Sequence, residues 1–140
     1  MTSSMNRLSY REMRQYQTFD ERFEYLSLVG KVGDSTFGSD RYFNQKFYRS
    51  SEWKSARREV IIRDNGCDLG VEGFEIHGRI LIHHINPITI EDIREGSSSL
   101  FDPDNLISTT HITHNAIHYG DISLIPRDVV ERKPGDTKLW

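Results

Sequence analysis

An α+β fold is expected from this sequence, on three observations. The first 66 residues carry two stretches with the apolar period and the caps of helices. From Cys67 the texture changes to short β-branched runs broken by Gly70, Gly73 and Gly78. Five of the six histidines then fall between residues 83 and 118, distributed over a strand, a polar loop, a second strand and a helix. At 140 residues the chain fits a single domain, 1–140, with a helical N-terminal extension (1–66), a mixed core (67–120) and a C-terminal tail (121–140).

The composition narrows the class. Hydrophobic residues make up 36% and charged residues 28%, the balance of a chain that folds in water. No apolar run approaches the roughly 20 residues that span a bilayer, so no membrane partner is expected. MTSSMNRLSYREMRQYQTFD is polar throughout, without the apolar stretch of a secretory signal, which leads us to expect a cytoplasmic protein that is not secreted. Cys67 is the one cysteine, so an internal disulfide and a cysteine-rich zinc site are both excluded. Any metal must be held by histidines and oxygens.

The elements follow in order. TFDERFEYLSLVG has Thr18 and Glu21 at capping-box spacing and a stripe of Phe19, Phe23 and Leu26, and is expected to be a helix stopping at Gly30. KVGDSTFGSDRYFNQKFYRS lacks a clean period and is expected to be an ordered loop, its Phe37, Tyr42, Phe43, Phe47 and Tyr48 serving as core anchors. SSEWKSARREVIIRDNG is expected to be a helix capped by Ser51, with Trp53, Ala56, Val60 and Ile61 buried and Asn65-Gly66 as a left-handed stop. RILIHHI has the composition of a strand, reached through a hairpin turning near Gly78. Residues 89–104 are polar and expected to be a surface loop, NLIST a second strand, and TTHITHNAIHYG a helix closed by Gly120. The tail is expected to wrap over the domain.

Charge is unevenly placed. The chain carries a net charge of -3, yet residues 41–63 hold Arg41, Lys46, Arg49, Lys54, Arg57, Arg58 and Arg63 against only Glu52 and Glu59. On a helix such a stretch is most often a solvated face; it also suits a phosphate backbone.

The histidines carry the sharper signal. His114 and His118 are four apart on the expected helix, where side chains at i and i+4 share a face and can present two nitrogens to one metal. His83 or His84, at the end of the apolar strand, supplies a ligand from elsewhere in the chain. Three imidazoles leave further positions of the ion open, as in catalytic rather than structural sites. Neighbours in a regular strand point to opposite faces, so His83 and His84 cannot both be ligands unless Pro87 marks a break in the strand. One ligand and one free base is the division that follows.

His83-His84, then Asn105-Leu106-Ile107, then His114 and His118 resemble the motif of the HNH nuclease family. The longer context, with IHHINPI and DPDNLISTTHITHNAIHYGD, is similar to bacteriophage-encoded HNH endonucleases. The resemblance implies a small ββα-metal (His-Me finger) core, made of a two-stranded antiparallel sheet and one helix, over residues 67–120, with additional N-terminal helices. It implies catalytic roles for His84, as general base, and for Asn105, which would hold the backbone and orient His84. It makes His83, His114 and His118 the ligands of one divalent metal ion (Mg, Mn, Zn, Ni or Co), and it implies cleavage of duplex DNA beside phage terminase subunits. Lys54, Arg57, Arg58 and Arg63 are the expected DNA-binding residues. The alternative is a catalytically silent, metal-stabilised DNA-binding or packaging-complex module.

Two departures stand out. Family members often frame this motif with two Cys-x-x-Cys pairs around a structural zinc, whereas here Cys67, Gly70, Thr110 and Thr113 occupy the matching places. Apolar packing is expected to hold the core instead. An all-histidine ligand set, where the family often has an acid at position 83, also tilts preference from Mg towards Zn, Ni or Co. An imidazole with its ordinary pKa of roughly 6.5 makes activity fall with acid between pH 8 and 5.

Overall fold

The computed structural model of the protein describes residues 7–27 and 41–126, the side chains of 41–44 excepted. Its sheet has two antiparallel strands, β1 (Leu81–His84) and β2 (Leu106–Thr109), in the register Leu81 opposite Thr109 through His84 opposite Leu106. Helices α1 (Tyr10–Met13), α2 (Phe19–Leu26), α3 (Arg41–Tyr48), α4 (Ser51–Arg63), α5 (Ile90–Glu95) and α6 (His111–Tyr119) surround it, so the fold is α+β. Strand alternation sorts two apolar clusters. Ile85 and Ile107 pack with Met13, Phe19, Phe23, Leu26, Ala116 and Ile117 on one side. On the other, Leu106 and the half-buried Ile82 pack with Phe47, Trp53, Ala56, Val60, Ile88 and Leu100.

The N-terminal helices stand largely as the sequence predicts, with local differences. The Thr18–Glu21 capping box is present and Phe19, Phe23 and Leu26 are buried, but α2 ends at Leu26, and Gly30 lies outside the described residues. Residues 41–48, expected to be loop, form α3. Eight residues make a marginal helix alone, and this one is held by tertiary packing, with the Phe47 ring 5.1 Å from Trp53 and 5.6 Å from Phe101. Tyr48 differs from the expected core residue: it is 37% exposed, edge-on to Trp53 at 5.3 Å. Phe37 and the side chains of Tyr42 and Phe43 lie outside the described residues.

The cap of α4 is Ser50 rather than Ser51, because the Ser50 hydroxyl accepts from the Trp53 amide at 3.2 Å. Trp53, Ala56 and Val60 are buried as expected, while Ile61 is only half-buried. Asn65 and Gly66, at φ 56° and 65°, end the helix in the left-handed region.

No hairpin turns at Gly78. The chain reverses earlier, through a 3-10 turn at Asp68–Gly70, and Cys67 bridges antiparallel to Glu75. Among the described residues β1 pairs with β2 alone, which leaves its other edge open. Residues 89–104 are also more ordered than a loop. Thr89 and Asp92 form a reciprocal capping box at 3.1 and 2.9 Å that starts α5, Gly96 closes it at φ 65°, and two 3-10 turns follow.

The α6 ends agree with the sequence: the Thr110 hydroxyl caps it through the Thr113 amide, and Gly120 closes it at φ 67°. Of the tail, Ile122 and Ile125 pack against the cluster containing Met13, and residues 127–140 lie outside the described residues. At the other end, Asn86 exchanges two hydrogen bonds with the Leu8 backbone, at 2.9 and 2.8 Å, and so fixes the segment leading into α1. No helix among the described residues is long and apolar enough to cross a membrane.

Candidate metal centre

His83 shares its face of the sheet with Ile85 and Ile107, the face covered by α6. Its ring stands 5.2 Å from those of both His114 and His118, and the latter two are 4.5 Å apart. One nitrogen from each of the three lies within 4.8 Å of the others, and the Nε2 atoms of His114 and His118 are 3.3 Å apart. Tetrahedral nitrogens 2.0–2.1 Å from an ion are roughly 3.3 Å from one another, so the spacing suits an ion after a small adjustment.

The electrostatics point the same way. Neither Nδ1 nor Nε2 of His83, which is 1% exposed, has a hydrogen-bond partner. Burial holds its pKa well below the ordinary value, reinforced by the neighbouring His114 and His118. Burial and then His118 lower His114 to about 4, and burial lowers His118. The three imidazoles are therefore neutral at pH 7, which is the state a metal requires of its ligands.

His84 turns to the opposite face, with no break in β1. Its imidazole stacks on the Trp53 indole at 5.4 Å and 24° and lies 6.2 Å from Phe47. Its Nε2 is 3.1 Å from the Leu100 carbonyl, which can only accept, so Nε2 carries the proton and Nδ1 keeps the lone pair. Burial lowers the pKa to about 4.

The Asn105 side chain makes its hydrogen bonds elsewhere than to His84. Its Oδ1 accepts from the backbone and side-chain amides of Asn86 at 2.8 and 2.7 Å, and its Nδ2 donates to the Ser99 carbonyl at 3.0 Å. Ser99 immediately precedes Leu100, so the Asn105 amide fixes the segment whose next carbonyl holds His84.

A cavity of about 630 Å³ runs along the open edge of β1, reaching both His83 and His84, with His114, His118, Trp53, Tyr48, Lys54, Arg57 and Arg79 in its wall. Arg57 donates to the Ile80 carbonyl at 2.8 Å, which fastens α4 to that edge. Lys54 and Arg57, two of the expected DNA-binding residues, line this cavity. Arg58 is exposed and outside the cavity wall.

Arg63 departs from the expected DNA-binding role. Its guanidinium donates to the Pro103 and Leu106 carbonyls at 2.8 and 2.7 Å and to Asp64 at 2.9 Å, and lies 3.5 Å from the Tyr10 ring centre. It ties α4 to β2 and α1, with its side chain 22% exposed. Arg79 is not among the expected residues because, in sequence, it reads as the first residue of a strand. His111 and His77 are exposed and outside the triad.

Apolar packing is not alone in holding residues 67–70 against residues 110–113. Asp68, 7% exposed, accepts from the Thr113 hydroxyl at 2.6 Å and from the Thr110 amide and hydroxyl at 3.3 and 3.4 Å. Burial raises its pKa to about 6, against the opposing pull of those bonds. Beside it, buried Asp64 accepts from the Ser108 amide at 2.9 Å. Gly70, at φ +67°, lets the chain pass close by; a Cβ there would meet Asp64 Oδ1 at 3.3 Å.

No family model, curated protein or solved structure matches this chain.

Proposed function

We propose that the protein is a metal-dependent HNH endonuclease that hydrolyses phosphodiester bonds of duplex DNA, with β1, β2 and α6 as a ββα-metal core. One observation carries this reading: two adjacent histidines are given opposite environments. His83 joins His114 and His118 with both its ring nitrogens unpartnered, and His84 stands across the strand with its tautomer fixed by a carbonyl. A structural metal site needs only the first.

His83, His114 and His118 would hold one divalent ion, which supplies positive charge to neutralise a phosphate oxygen and the departing 3′ oxygen. Their all-nitrogen donor set favours Zn, Ni or Co over Mg, with Mn between. His84 takes the proton of the attacking water at Nδ1, while Nε2–H remains on the Leu100 carbonyl. Asn105 positions the Ser99–Leu100 segment and so the imidazole. Lys54, Arg57 and Arg79 meet the phosphates that flank the scissile bond. DNA is the partner in this reading, and the likeness to phage-encoded HNH endonucleases is what supports a place beside phage terminase subunits.

A specific observation favours a second reading, the catalytically silent DNA-binding or packaging-complex module. His84 is 8% exposed and its pKa is lowered to about 4, which makes it a weak base.

Plasmid nicking separates the two. The chelated protein is supplied in turn with Mg, Mn, Ni, Co or Zn and compared with His84→Ala. The nuclease reading expects metal-dependent nicking that falls roughly 100-fold or more in the variant. Nicking unchanged by His84→Ala removes the base assignment, and no nicking with any metal leaves the silent module. The pH profile expected from an ordinary imidazole changes too: with His84 at about 4, its own titration leaves the rate flat from pH 8 to 5 and lowers it only near pH 4.

A further inference from the structure

We propose that Asp68 is a positioning residue for the metal centre: its buried carboxylate grips the first turn of α6 through Thr113 and Thr110, and thereby sets His114 and His118 against His83. The inference rests on the reading of that triad as a metal site.

The three nitrogens come from two elements that must be aligned to within about 0.2 Å for a metal to bind well. His83 is fixed by its register opposite Ile107. His114 and His118 ride on α6, which starts two residues after β2 ends. Ala116 and Ile117 press α6 into the apolar cluster, but apolar contact is non-directional and leaves rotation about the helix axis weakly determined.

Asp68 adds a directional restraint. The 2.6 Å bond to Thr113 Oγ1 is short and charge-assisted, and it acts on the residue adjoining His114. The same carboxylate reaches Thr110, whose own hydroxyl caps α6, so one group fixes the helix start at two points.

Asp68 is itself held. Its amide donates to the Phe74 carbonyl at 2.8 Å, and the next residue, Leu69, is fully buried at φ 55° with its carbonyl taken by Arg22 at 2.8 Å. A non-glycine residue persists in that left-handed region only when its surroundings over-determine it. The turn is thus a rigid post, and α6 is fastened to it.

The test uses the full chain and Co(II) as the probe, whose visible absorption reports the ligand field directly. Thr113→Val removes the hydroxyl and keeps the shape; Thr113→Ser restores it; Asp68→Asn removes the charge. Val60→Ala, in the cluster on the other face of the sheet, serves as a control for general destabilisation. Thr113→Val and Asp68→Asn are expected to weaken Co(II) binding by about 10- to 100-fold and to shift its spectrum, with Thr113→Ser within about threefold of wild type. Wild-type affinity in Thr113→Val, or an equal loss in Val60→Ala, overturns the proposal.

If the wild-type chain binds no Co(II), the metal-site reading fails separately. The grip is then decided by amide hydrogen exchange in the metal-free protein. Faster exchange at His114–His118 in Thr113→Val than in Val60→Ala upholds it, and equal exchange removes it.

Discussion

Asp68 and His83 both approach α6 from buried positions, yet they are satisfied to opposite degrees. Both carboxylate oxygens of Asp68 meet donors, whereas neither ring nitrogen of His83 meets a partner. An unpaired buried polar group costs roughly 1–3 kcal/mol, a cost that a bound ion would remove from His83. The satisfied group holds structure together, and the unsatisfied group is the one that the proposed metal ion would satisfy. The same contrast separates His84, with one nitrogen bonded, from its neighbour.

The largest expected effect comes from removing the unsatisfied group. His83→Leu fills similar space without orphaned nitrogens, so the metal-free protein is expected to gain about 1–3 kcal/mol in urea unfolding. The same variant is expected to lose the rise in melting temperature that Zn or Ni gives the wild type. A metal-free loss of stability shows that His83 has an unseen structural role and breaks the contrast.

Acid acts with opposite signs on the buried imidazoles and on Asp68. His84 and His114 have folded pKa values lowered to about 4 from 6.5, so the stability they contribute is present above pH 6.5 and lost as the pH falls towards 4. Asp68, raised to about 6, contributes the other way: its share is present below about pH 4 and lost as the pH rises through 6. Two buried imidazoles, with His83 and His118 shifted in the same direction, outweigh one carboxylate. The metal-free melting temperature is therefore expected to fall from pH 6.5 to 4, and Asp68→Asn to steepen that fall. A melting temperature that rises on acidification reverses the balance.

What the sequence makes legible is whatever depends on local period. The α2 capping box, the Asn65-Gly66 stop, NLIST as β2, the i, i+4 pair on α6 and the opposed faces of His83 and His84 all follow from spacing along one element. What it hides depends on contacts distant in the chain. Helix α3 exists because Phe47 meets Trp53 and Phe101, and Arg63 is committed to the fold because two carbonyls some forty residues away accept its hydrogen bonds. Asp68 is silent in the sequence since an acid between a cysteine and a leucine carries no pattern; its meaning lies in Thr110 and Thr113. One local signal is present but easily missed, the Thr89–Asp92 box that starts α5 inside a polar stretch expected to be loop.

The arginines extend the contrast between committed and available groups, at the smallest expected effect. Arg63 is bound to Pro103, Leu106 and Asp64, whereas Arg79 is exposed at the wall of the cavity that reaches the triad, and Arg58 is exposed away from it. If the cavity is where a phosphate backbone enters, Arg79→Ala is expected to lower the slope of log affinity against log salt by about 1 for a duplex oligonucleotide, measured by anisotropy in chelator so that no cutting intervenes. Arg58→Ala is expected to leave that slope within error of wild type. A drop with Arg58→Ala and none with Arg79→Ala moves the backbone to the outer face of α4, away from His84, and a base so far from its phosphate could not serve the cleavage proposed.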